Sequence, residues 1–171
     1  MTSYAIALEA PTDQGAIHHV EALAFDRPEE ADLVDAMRRE GILTLSLVAW
    51  REGRLVGHVA FSPAQVDSPA GGYQVISLAP VAVAPTWQRQ GIGAALIGDG
   101  LGRLKSLGYR GVVVLGHAEY YPRFGFVPAS SFGIKWEHPC PDEAFMALEL
   151  SPGFFAGSGG LVRFHPIFEG V

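Results

Sequence analysis

Two short blocks of this chain hold residues whose types and spacing could do chemistry. The first is Gln88-Arg89-Gln90-Gly91-Ile92-Gly93-Ala94, and the second is Tyr120-Tyr121-Pro122-Arg123-Phe124-Gly125-Phe126. The glycines of the first block remove Cβ atoms where a strand-like run over residues 75–83 gives way to a helix-like run over residues 94–107. A strand feeding such a turn leaves backbone N–H groups unpaired at the positive end of the helix dipole. That is an anion site, suited to phosphate or pyrophosphate. Arg89 adds a charge able to pair with phosphate. A purely structural strand-to-helix turn would carry the same glycines.

Other phosphate motifs do not match. A P-loop would end in Gly-Lys-Ser/Thr, but Ala94-Ala95 stands there. A dinucleotide fingerprint needs a third glycine, where Leu96 stands. The sequence has no G-x-S-x-G elbow for a serine hydrolase and no H-E-x-x-H or C-x-x-C for a metal. His138, Cys140 and Asp142 read as a Pro-rich loop, so no metal is expected. Trp87 and Trp136 could line a groove, or simply pack at its rim.

Alternating strands and helices must position these blocks. Residues 3–9 read as a strand. Thr12 or Asp13 can cap a helix over 14–25 with Ile17, Val20, Leu23 and Ala24 on its inner face. Pro28 and acidic residues open a helix over 29–39, and Gly41 closes it. Glu52-Gly53-Arg54 joins strands over 45–51 and 55–62 as a hairpin. Residues 63–72 read as a polar Pro/Gly loop before the strand over 74–83. Gly98, Gly100 and Gly102 lie inside the next helix, where close packing on a sheet would explain them. Strands follow over 112–115, from 126–127, and over 144–150, with a short helix or turn over 119–124. Phe154, Phe155, Phe164 and Phe168 in the tail would be costly to leave wet, so the tail packs on the body or on a second copy.

A chain of 171 residues can bury one substantial core. Apolar residues make up 49% and charged residues 18%, which is a folded rather than a disordered balance. The net charge of −6, with no basic stripe, argues against nucleic acid as a partner. Prolines and glycines interrupt the longest uncharged span, residues 68–88, so no membrane helix or membrane partner is expected. Cys140 stands alone, which excludes an internal disulfide and fits a reducing cytoplasm.

Together the two blocks resemble the GNAT superfamily of acyl-CoA-dependent N-acyltransferases. In that family a Q/R-x-x-G-x-G/A turn follows the fourth strand and a Y-x-x-x-G-F block follows the fifth. The phrase Leu78-Ala79-Pro80-Val81-Ala82-Val83 with Pro85, and the ending Pro141-Asp142-Glu143-Ala144-Phe145-Met146, look like the YhbS-type branch. The resemblance implies one α/β domain over residues 1–171, with a mixed sheet of about seven strands splayed between the fourth and fifth and flanked by helices. It implies transfer of an acetyl group from acetyl-CoA, as cosubstrate, to a primary amine on a small molecule or a protein. Backbone groups of Val81, Ala82 and Val83 would bond the pantetheine arm. Amides around Arg89, Gln90, Gly91, Ile92, Gly93 and Ala94 would hold the pyrophosphate. Tyr121 matches the tyrosine near the thioester sulfur, where a protonated phenol could serve the departing thiolate. A backbone N–H of Val81 or Ala82 could bond the thioester oxygen as its charge grows.

The base that takes the amine's proton stays open among His117, Glu119, His58 and water, with Ser77 as a possible relay. A non-catalytic acyl-CoA sensor would use the same cleft, and a nucleotide-binding protein could use the same turn. The Phe-rich tail leaves room for a homodimer.

Overall fold

The computed structural model describes residues 3–171. They group into two compact units. The first holds the chain up to Ser62, then Ala79–Arg103 and Pro166–Val171; the second holds Pro63–Leu78 and Leu104–His165.

The first unit contains β1 (Ala5–Leu8), β2 (Leu45–Arg51), the start of β3 (Arg54–Asp67) and the end of β4 (Tyr73–Val83). Its helices are α1 (Gln14–Phe25), α2 (Glu29–Arg39) and most of α3 (Ile92–Ser106). β1, β2 and β3 pair antiparallel. Leu47, Val48, Val59 and Ala60 are fully buried on successive positions, so both faces of this part of the sheet are covered. Glu52 (φ 51°) and Gly53 (φ 74°) are both left-handed, the pair of angles a two-residue type I′ hairpin requires.

Helix α1 departs from its expected inner face. Ile17 and Val20 are buried, but Leu23 is 45% exposed and Glu21 is fully buried. At 3.6 residues per turn, positions 17, 20, 21 and 24 share a face and position 23 falls outside it. Asp13 occupies the cap position, yet its carboxylate turns back to accept the Ala10 N–H at 2.7 Å. In α3 the close-packing reading holds at Gly100, where a Cβ would collide with the Phe61 ring. It does not hold at Gly98 or Gly102, which have nothing within 4 Å.

In the second unit, β4 runs parallel to β5 (Gly111–Leu115) through Ile76↔Val112 and Ser77↔Val113. β5 pairs antiparallel with β8 (Phe145–Glu149), and β8 with β6 (Val127–Pro128). The end of β3 pairs antiparallel with β9 (Gly160–Phe164), which runs parallel to β7 (Ile134–Trp136). Among the described residues the sheet is therefore mixed, as the resemblance implies: seven strands form the path β1-β2-β3-β4-β5-β8-β6, and β7 and β9 join off that path. Its core gathers Val66, Val75, Val113, Ala147, Phe155 and Val162.

The expected loop over 63–72 is half strand. β3 continues to Asp67 with Ala64 and Val66 buried, and β9 supplies the ladder partner. Pro63 forfeits only one N–H, which a strand tolerates where that donor is not needed. The tail packs on the body. Phe154, Phe155 and Phe164 join the second unit's core, and Phe168 packs with Leu33 and Met37 in the first. Among the described residues no helix is long and apolar enough to cross a membrane.

Candidate active site

The first unit carries the glycine turn. A single helical turn, Pro85–Trp87, follows β4, and Gln88 is extended. Arg89 then adopts φ 62° and Gly91 φ 85°. A left-handed Arg89 costs about 1 kcal/mol or more, strain of the kind that concentrates at ligand sites. Gly91 takes the same region without penalty. Ala95 N–H bonds back to Gly91 O at 3.0 Å. The N–H groups of Ile92, Gly93 and Ala94 precede that first helical bond and have no partner within the helix. Gly91 has open space where a Cβ would lie.

Side chains hold this turn from both ends. Gln88 Nε2 donates to Val83 O at 2.9 Å. Arg51 Nη1 donates to Gln90 Oε1 at 2.8 Å, and the Arg51 guanidinium lies 4.3 Å over the Trp87 ring. Beneath it, Gly57 lets α3 approach β3. A Cβ there would stand 3.0 Å from Leu96 Cδ1, 3.2 Å from Ile92 Cγ2 and 3.3 Å from Ala82 O. The sequence reading missed Gly57, which looks like an ordinary strand residue until its long-range neighbours are known.

The Val81–Val83 stretch lies at the end of β4. Ala84 N–H donates to Val56 O of β3 at 2.8 Å. Successive peptides of a strand face opposite edges, so Ala82 turns its backbone toward β3 and Val81 and Val83 turn theirs away. The nearness of Ala82 O to Gly57 agrees. Only Val81 and Val83 thus present backbone groups to a ligand on the edge away from β3.

The second unit carries Tyr121, on the single helical turn Tyr121–Phe124, with Pro122 in that first turn. Tyr121 is 7% exposed. Its ring meets Tyr120 edge-on at 5.2 Å, Phe126 at 5.9 Å and Phe124 at 6.4 Å. Gly116 leaves room for it, since a Cβ there would collide with Tyr121 Cε2. Burial, with a smaller contribution from Tyr120, pushes the Tyr121 phenol up to about 12. Tyr120 is instead braced by Arg123, whose guanidinium stacks 4.3 Å above its ring and donates to its carbonyl at 2.8 Å.

The base candidates differ in access. His117 and Glu119 are exposed, and His117 O accepts the Tyr120 N–H at 3.1 Å. Ser77 is 2% exposed. His58 is fully buried, with Nδ1 at 2.6 Å from Glu21 Oε1 and Nε2 at 2.8 Å from Ser46 Oγ. Ser46 Oγ donates to Glu9 Oε1 at 2.6 Å. Burial raises the Glu9 carboxyl, but bonds from Arg38 and Ser46 outweigh it and hold the group below its ordinary range. Glu9 is therefore an anion at neutral pH and takes the only Ser46 proton. His58 Nε2 must then donate to Ser46, and one remaining proton is shared between Nδ1 and Glu21. Burial pushes the Glu21 carboxyl up against the pull of His58. Neither His58 nitrogen is left to accept a proton from a bound amine.

Elsewhere, His18, Asp32 and Asp35 bring ligand atoms within 4.8 Å of one another. Asp35 is already committed to His18 Nδ1 at 2.8 Å and Arg38 Nη1 at 3.1 Å, as an ion-pair cluster.

Residues 13–126 match the model of the acetyltransferase (GNAT) family. The chain is 37% identical to the uncharacterized N-acetyltransferase YhbS of Escherichia coli K12, over 96% of this chain and 98% of that protein. It is 41% identical to the uncharacterized N-acetyltransferase YjhQ of the same strain, over 77% of this chain and 75% of that protein. Among solved structures it resembles E. coli YhbS in complex with CoA. That match has a TM-score of 0.91 and 35% identity, and covers 98% of this chain and 93% of the other. A GNAT acetyltransferase from Brucella melitensis in complex with acetyl-CoA gives a TM-score of 0.81 at 34% identity, covering 99% and 100%.

Proposed function

The chain belongs to the GNAT acetyltransferase family, and from that premise we propose that it moves an acetyl group from acetyl-CoA to a primary amine, by direct attack in a ternary complex. The whole of residues 1–171 acts as one N-acetyltransferase domain. The observation that carries this reading is the start of α3, where left-handed Arg89 and Gly91 precede N–H groups with no helical partner. CoA and acetyl-CoA in the two solved relatives support it.

In this reading the amides of Arg89, Gln90, Gly91, Ile92, Gly93 and Ala94 hold the diphosphate, where the helix dipole favours negative charge. Val81 and Val83 bond the pantetheine arm along the free edge of β4, with Ala82 between them facing β3. The Val81 N–H is the donor to the thioester oxygen as it becomes an oxyanion. The neutral amine attacks the carbonyl carbon, the C–S bond breaks, and the sulfur leaves with its electron pair. The amine nitrogen releases one proton to water, with exposed His117 or Glu119 as possible intermediaries.

Tyr121 gives its hydroxyl proton to the sulfur. Transfer from a phenol near 12 to an ordinary thiolate near 8.5 is uphill by about 5 kcal/mol at equilibrium. A thiolate in equally dry surroundings is raised by the same desolvation, which narrows the gap. Tyr121 therefore acts first as a hydrogen-bond donor to the developing charge and completes the transfer only as the thiolate forms. Solvent then reprotonates the phenolate.

The acceptor is a small-molecule or protein amine, and the compartment that suits the lone Cys140 is the cytoplasm. The test is thiol release from acetyl-CoA across a panel of amines, for the parent and for Tyr121→Phe. Amine-dependent release that falls in the variant supports the reading. Tight acetyl-CoA binding with no turnover on any amine contradicts it and leaves an acyl-CoA sensor.

A further inference from the structure

The tip of the β2–β3 hairpin, in the first unit, carries charges that the transfer chemistry does not use. Arg51 and Arg54 face each other across the Glu52-Gly53 turn in the strand register. A register shift between Ala49 and Trp50 pairs Ala49 with Gly57 but Trp50 with Leu55, so Val56 is the extra residue of a β-bulge. The bulge has a directional consequence. Trp50 and Leu55 pack with Ile17 and Val34 under α1 and α2. Arg51 and Arg54, one position further out, are thereby aimed at the opposite face, where Arg51 meets Trp87 and Gln90. Without the extra residue, the alternation that puts Gly57 under α3 would send Arg54 to the other face.

Among the described residues these cations lack counter-ions. Among the described residues the arginine ion pairs involve Arg27, Arg38, Arg103 and Arg163, and none involves Arg51, Arg54 or Arg89. Glu52, at the hairpin tip itself, pairs with neither neighbour. The chain carries a net charge of −6, so unpaired arginines beside an exposed N–H cradle run against its overall balance. Arg51 is also pre-positioned. Stacking on Trp87 fixes the guanidinium plane, and the bond to Gln90 uses one of its five N–H donors. The other donors remain for a planar or tetrahedral anion.

Coenzyme A carries, beyond its diphosphate, a third phosphate on the ribose 3′ oxygen. We propose that Arg51 and Arg54 at this hairpin tip seat that ribose 3′-phosphate. The inference rests on the reading of the Arg89–Ala94 turn as the diphosphate cradle. The bulge at Val56 aims the hairpin, Arg51 ties it to the cradle, and Arg54 adds a second exposed cation beside it.

The experiment compares acetyl-CoA with acetyl-3′-dephospho-CoA by calorimetric titration, on the parent and on Arg51→Gln, Arg54→Gln and the double variant. The parent is expected to bind acetyl-CoA roughly ten- to hundredfold more tightly, the worth of charge-assisted bonds to one phosphate. The preference for acetyl-CoA over the dephospho form should shrink in each single variant and vanish in the double one. Arg54→Gln leaves the dephospho form bound as in the parent, whereas Arg51→Gln, which also removes the brace on Gln90, weakens both forms by a common factor on top of the lost preference. On the unmodified parent, raising salt should weaken acetyl-CoA more steeply than its dephospho form. Equal binding of the two forms by the parent overturns the inference and leaves the diphosphate cradle standing. A preference that survives in the double variant also overturns it. Failure of the parent to bind either form overturns the cradle and this inference together.

Discussion

At the start of α3 the candidate ligand groups are backbone N–H groups on residues that are exposed or half-buried apart from the buried Ile92, whereas at Tyr121 the candidate group is one side-chain hydroxyl on a residue 7% exposed. The turn needs only backbone shape, supplied by left-handed Arg89 and Gly91 and by a helix that begins at Ile92. The tyrosine needs packing around it, supplied by Tyr120, Phe124, Phe126 and the missing Cβ of Gly116. A backbone cradle tolerates many side chains but not an added Cβ that closes it. An aromatic nest tolerates little change at all, yet only one of its atoms is asked to react. Binding and turnover should therefore separate between the two regions.

The largest effect is expected from Gly93→Val, which places a branched side chain among the free amides. Acetyl-CoA affinity should fall by about a hundredfold or more, the loss of at least two charge-assisted bonds. Thermal denaturation should change little. Unaltered affinity in a folded variant would remove the cradle from the account. Tyr121→Phe comes next. It should lower turnover by roughly a hundredfold, in the range of a lost general acid, while calorimetry finds acetyl-CoA bound as before. If affinity collapses instead, the tyrosine belongs to binding and the contrast disappears.

Gly116→Ala sharpens the same contrast. Its Cβ would displace the Tyr121 ring, so turnover should drop several-fold and stability should fall by ~1–3 kcal/mol from overpacking. Gly57→Ala is the milder counterpart under the turn. Neighbours at 3.0–3.3 Å must give way by only a few tenths of an ångström. A rise of a few-fold in the acetyl-CoA dissociation constant and a stability cost of ~1 kcal/mol are expected. The smallest effect concerns pH. Because the Tyr121 phenol is raised to about 12, its protonated form is the one the fold favours. Stability from that preference is complete below the ordinary tyrosine value near 10 and is lost only as pH climbs from there toward 12. Turnover should show no alkaline loss from this group below about pH 10, and a Tyr121-dependent loss near neutrality would contradict the buried phenol.

The contrast also explains what could be read from the sequence. The turn was legible because its shape resides in glycine spacing between a strand and a helix, a local pattern. The hairpin at Glu52-Gly53 was legible for the same reason. The Tyr121 block was recognisable by its resemblance, but the dependence of its ring on Gly116 comes from tertiary packing. Leu23 was misassigned to the inner face of α1, and Glu21 passed over, because an apolar residue was preferred there. The fold chose Glu21 because His58, 37 residues away, waits there to share a proton. β9 and the end of β3 were missed because they pair with each other across 94 residues or more, as in Asp67↔Leu161 and Gln65↔Arg163. The peptide directions of Val81, Ala82 and Val83 were equally invisible until the Ala84–Val56 bond fixed which edge each one faces.

The most direct measurement is a crystal structure of the protein with acetyl-CoA bound. The diphosphate oxygens should lie about 3 Å from the amide nitrogens at the start of α3, with the Val81 N–H directed at the thioester oxygen and the Tyr121 hydroxyl at the sulfur. A cofactor seated elsewhere, or a sulfur out of reach of that hydroxyl, would contradict the account.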